Sequence, residues 1–83
     1  MSNVDILNVK ETEELLTALR HRFVKSCQLH LNYETKMNKS LEEGDDNMAA
    51  YWQYLANREW ERGTSIRNVI NDIIEDLSSY NYQ

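Results

Sequence analysis

The chain has no proline, two glycines, one cysteine and one phenylalanine in 83 residues. Each shortage excludes something. Without proline nothing forces a helix to stop, and only Gly44 and Gly63 offer places for a break. A single cysteine, Cys27, rules out an internal disulfide. A lone thiol in a short chain fits a reducing compartment, so a cytoplasmic location is expected. No stretch approaches the roughly 18 apolar residues needed to cross a bilayer, and no membrane partner is expected. The opening MSNVDILNVKETEE has neither a basic region nor a sustained apolar core, and does not read as a signal peptide.

Basic residues are also in short supply. Nine Lys and Arg face fourteen Asp and Glu, a net charge of −5. Binding to nucleic acid depends on clustered Lys and Arg against phosphates, so it is not expected of this composition. The imbalance lies mostly in the second half, where Asp45, Asp46, Glu59, Glu61, Asp72, Glu75 and Asp76 are set against Arg58, Arg62 and Arg67. A short basic cluster, Arg20-His21-Arg22 with Lys25, is the one feature that favours a nucleic-acid-binding hairpin, and a solvated helix face explains it more simply.

What is abundant is helical period. After Asn8, which forms a capping box with Glu11, apolar positions run Leu16, Leu19, Phe23, Cys27, His30, Met37 and Leu41, with Glu34 the one interruption. A second series runs Met48, Trp52, Leu55, Glu59, Arg62 or Gly63, Ile66, Ile70, Ile73 and Leu77. Between them Gly44-Asp45-Asp46-Asn47 supplies a C-cap glycine and then N-cap residues. The expected fold is all-α: one domain over residues 1–83, with a helix about 9–41, a turn about 42–46 and a helix about 47–79. Gly63 is the one place for a kink. Two long helices across a short turn make an antiparallel hairpin.

Placing side chains at about 100° per residue sets Leu41 against Met48, Met37 against Trp52 or Tyr51, Phe23 against Ile66, Leu19 against Ile70 and Leu16 against Ile73. The same construction leaves a second apolar strip of Val24, Leu31, Ala49, Ala56, Trp60, Gly63 and Ile74 at one side. A lone hairpin has nothing to cover it. A chain this short buries only about 60–65% of its unfolded surface, and pairing of two hairpins into a dimeric four-helix bundle would supply the missing burial. A homodimer is therefore expected, with those seven residues as its interface; a heteromeric partner would cover the same strip.

The polar middle of the seam invites a chemical reading. Cys27, His30, Glu34 and Glu59 offer thiolate, imidazole and carboxylate ligands for a metal, the alternative to an interaction module. One Cys-x-x-His on a single helix is a weak signal, and the Glu-x-x-His pairs of di-iron bundles are missing. A Cys27 nucleophile with His30 as base would need a cleft and an oxyanion hole, for which the chain has no glycine-rich loop. Packing is the simpler account: His30 paired with Glu59, Arg62 beside them, and no metal or cofactor. Tyr33, Tyr51 and Tyr54 with Arg58 gather near the turn and are the residue types that form binding hot spots. The expectation is a non-enzymatic coiled-coil-like module, an adaptor, inhibitor or regulatory subunit that binds a protein partner through that tyrosine edge.

Overall fold

In the computed structural model, which describes residues 9–81, the chain is an all-α hairpin of two long antiparallel helices. Helix α1 runs Val9–Glu42 and α2 runs Asp46–Asn81. The helix entry expected at Asn8 lies outside the described residues. α2 passes through Gly63 without a break. The two helices form a rod of 61 × 17 × 17 Å.

The turn is fixed by its own chemistry. Gly44 adopts φ 75°, the left-handed conformation that suits a residue without Cβ. The Asp45 N–H then donates to the Ser40 carbonyl at 2.8 Å, and the Gly44 N–H donates to Leu41 at 3.1 Å. That pair of bonds closes the last turn of α1 as a Schellman motif. Asp45 then caps α2: its Oδ1 accepts from the Met48 N–H at 3.1 Å. Three residues thus end one helix, reverse the chain and start the next.

The seam between the helices follows a strict seven-residue repeat. On α1 the seam residues withdrawn from solvent are Leu16, Leu19, Phe23, Ser26, His30, Tyr33, Met37 and Ser40, with Thr12, Leu29 and Glu34 half-buried beside them. On α2 they are Ala49, Trp52, Ala56, Glu59, Gly63, Ile66, Ile70, Ile73 and Leu77, with Leu55 and Thr64 half-buried beside them. Spacings of three and four alternate throughout both series. A straight helix drifts by about 20° per heptad against such a repeat, which moves several residues from their expected places. Cys27, Leu41 and Met48 are exposed, and their seam positions are taken by Ser26, Ser40 and Ala49. Ala49, Ala56 and Gly63, expected on the second strip, lie inside the hairpin instead.

Small residues explain the geometry of the turn half. Ser26, Ser40, Ala49, Ala56 and Gly63 keep the helices close, whereas Leu16 and Ile70 fill the seam towards the chain ends. A Cβ added at Gly63 would sit 3.6 Å from the Ser26 Cβ, an ordinary contact. Gly63→Ala should therefore gain most of the helix-propensity difference, about 0.5–1 kcal/mol. Gly44→Ala should lose about 1 kcal/mol, because alanine resists the positive φ although there is space for it. Urea unfolding of the two variants, moving in opposite directions from wild type, checks both.

Candidate interaction surfaces

The polar middle of the rod is organised around His30. Its Nδ1 lies 2.8 Å from the Ala56 carbonyl oxygen. A carbonyl only accepts, so Nδ1 carries the hydrogen and donates it across the seam. This bond needs α1 close to the backbone of α2, which the Ala56 methyl permits. The other ring nitrogen, Nε2, lies 3.4 Å from Glu34 Oε2, and the ring packs against Trp60 at 5.4 Å between centroids. The expected His30–Glu59 pair does not form. Glu59 turns along its own helix, where its Oε2 accepts from Arg62 Nη1 at 3.1 Å. Its Oε1 is buried with no hydrogen-bond partner among the described residues.

This arrangement does not assemble the metal set read from the sequence. Cys27 sits exposed on the flank, His30 is held between Ala56 and Glu34, and Glu59 is turned to Arg62. Among the described residues no three His, Cys, Asp or Glu side chains come together as a metal site. The basic cluster is no more coherent. Arg20, Arg22 and Lys25 are all exposed, but at about 100° per residue Arg20 falls on the flank opposite Arg22 and Lys25. Lys36 lies across the seam edge, with Nζ 4.7 Å above the Trp52 ring.

Two flanks remain outside the seam. One carries Val24, Cys27 and Leu31 from α1 and Trp60 and Ile74 from α2. Val24, Leu31 and Trp60 are 51%, 61% and 63% exposed, and Ile74 is exposed with them. These four are the part of the expected strip that faces solvent. Between Leu31, Cys27 and Trp60 the flank dips into a groove of about 220 Å³, floored by Phe23 and Gly63 and reached by Glu59 and Arg67.

The other flank carries the tyrosines, together with exposed Leu15, Met48 and Val69. Tyr33 stacks on Trp52 at 6.0 Å and Tyr51 meets the same ring edge-on at 5.0 Å. Trp52 is thus the hub that joins Tyr33 and Tyr51. Tyr54 stands apart, with the Arg58 guanidinium 5.8 Å over its ring. Tyr51 and Tyr54 are exposed, while Tyr33 is half-buried in the seam.

Among the described residues no helix is long and apolar enough to cross a membrane. Set beside models of protein families, curated proteins and solved structures, the chain matches none of them.

Proposed function

We propose that this chain is a non-catalytic helical interaction module that acts by stoichiometric binding. In this reading the coiled-coil hairpin pairs with a second copy through the Val24, Leu31, Trp60 and Ile74 flank to form a four-helix bundle. The tyrosine edge of Tyr33, Tyr51, Tyr54 and Arg58 stays free for a different protein. Ala49, Ala56 and Gly63 contribute indirectly, by holding each hairpin closed.

The observation that carries the reading is unburied surface, with large apolar side chains exposed in it. The chain exposes 6634 Å², against about 5,200 Å² expected for a compact monomer of 9.9 kDa. The excess of about 1,400 Å² per chain is larger than the roughly 600–1,000 Å² that a standard interface removes from each partner, and the rod shape accounts for part of it. No large side chain among the described residues is fully buried, so the seam alone makes a thin core. Val24, Leu31, Trp60 and Ile74 share one flank with a groove, as an interface leaves them when the partner is removed, and Leu15, Met48 and Val69 are exposed away from it.

Sedimentation velocity across micromolar concentrations tests the reading. The expected result is a species with the mass of two chains. A chain that remains monomeric up to millimolar concentration would remove self-association and leave the flank for a heterologous partner.

A further inference from the structure

The groove at Trp60 is lined by Glu59, whose carboxylate the hairpin leaves half satisfied, and a rotation of that side chain would bring the buried Oε1 to the groove. The Glu59 side chain is 9% exposed, Arg62 reaches only one of its oxygens, and Oε1 has no partner among the described residues. A buried carboxylate oxygen without a donor is costly, so a donor supplied from outside would be held strongly. Arg67 lines the same groove, is exposed, and makes no ion pair among the described residues.

We propose that this groove is a half-site completed by a second copy, in which the partner's Arg67 lies across Trp60 and donates to Oε1 of Glu59. The proposal rests on the self-association reading and adds its orientation. α2 spans Asp46–Asn81, so its midpoint falls between Gly63 and Thr64. Trp60 lies as far before that midpoint as Arg67 lies after it. Two α2 helices laid antiparallel in full overlap about a twofold axis there bring each Trp60 against the opposing Arg67. The contact forms twice, as an isologous interface requires.

Charge along the flank selects this orientation. Towards the turn the flank carries Glu34 and the groove carboxylate of Glu59; away from the turn it carries Lys10, Glu13, Arg20 and Arg67, a net positive charge. The antiparallel dimer sets the basic half of each rod on the acidic half of the other. A twofold axis along the rods would instead lay α1 on the partner's α2 at equal heights, with Arg20 beside the partner's Arg67. Like charges at that contact oppose it.

Two measurements test the site. The first is the dimer dissociation constant of wild type, Arg67→Gln, Glu59→Gln and the double variant. Arg67→Gln should weaken the dimer about thirtyfold or more, and should have much less effect once Glu59 is already Gln. The second is the distance between spin labels at Glu43→Cys in a Cys27→Ala background. The antiparallel dimer puts the two turns apart by close to the 61 Å length of the rod. A dimer whose constant ignores Arg67→Gln, or whose turns lie side by side, overturns the half-site while self-association stands. A chain that stays monomeric overturns both.

Discussion

Trp60→Lys should weaken self-association by two orders of magnitude or more and leave the hairpin folded. Trp60 is the largest exposed apolar side chain on its flank, at 63%. Truncating an aromatic anchor of an interface typically costs at least about 2 kcal/mol, or about thirtyfold in affinity. The lysine adds a further penalty, because its ammonium must be buried against apolar surface or beside the partner's Arg67. Folding should be spared, since residue 60 lies outside the seven-residue repeat, is 63% exposed and meets the seam at the His30 ring. The informative comparison is Tyr54→Lys on the opposite flank, which is similarly exposed and should leave the dimer constant where it was. Sedimentation velocity with far-UV circular dichroism reads both. Equal effects from the two substitutions would mean that the association does not use the Val24–Trp60 flank.

Ala56→Leu should cost about 2–4 kcal/mol of folding stability, the largest loss expected of any conservative apolar change here. Ala56 is 2% exposed, so three added carbons must displace α1. Overpacking alone costs about 1–3 kcal/mol. Pushing the helices apart also strips the His30 Nδ1–H of its acceptor, the Ala56 carbonyl. A donor left unsatisfied in a part-buried layer adds about 1 kcal/mol or more. Ala18→Leu, at an exposed position of α1, should change stability by no more than about 0.5 kcal/mol. Urea denaturation at one protein concentration, chosen so that all variants share the same oligomeric state, separates the two results.

The contrast between residues 56 and 18 also marks how far the sequence could be read. The two helices, their turn and their antiparallel pairing follow from alternating threes and fours, from Gly44 and from Asp45, all of which act locally. Leu16, Phe23, Ile66, Ile70 and Ile73 were placed correctly because branched and aromatic side chains announce themselves. In the turn half Met37, Trp52 and Glu59 also fall in the seam as expected, but Cys27, Leu41 and Met48 stand out in the sequence where Ser26, Ser40 and Ala49 are buried, because that part of the seam is built from small and polar residues. Ser26 and Ser40 have less apolar character than their neighbours Cys27 and Leu41, so a search for apolar stripes picks the neighbours. A wheel drawn for a straight helix compounds the error, because its phase drifts by about 20° per heptad. Ala49, Ala56 and Gly63 do recur every seven residues. That signal was visible, but it points to close approach of some helix without saying which one. The structure gives the answer: the other arm of the same hairpin. The cross-seam partner of His30 was not legible, because a side chain bonding to the backbone of another helix leaves no mark in residue types, whereas Glu34 stands at the helical i,i+4 spacing. Nor was the orphaned oxygen of Glu59, which depends on where Arg62 can and cannot reach.

The three-residue turn has a kinetic consequence. Ser40 and Ala49 are the first facing pair beyond it, so bringing them together closes a very short loop. Each later pair closes a longer one, but every doubling of loop length adds only about 0.6 kcal/mol of closure entropy once the nearer pairs are already fixed. Folding can therefore start at the turn and zip outward through contacts that are always local to the growing end. Low contact order of this kind belongs to chains that fold in microseconds to milliseconds. Run backwards, the same order makes the ends of the rod furthest from Gly44 the first to open. Their amides should exchange with solvent fastest in the isolated hairpin, and protection should rise steadily towards the turn.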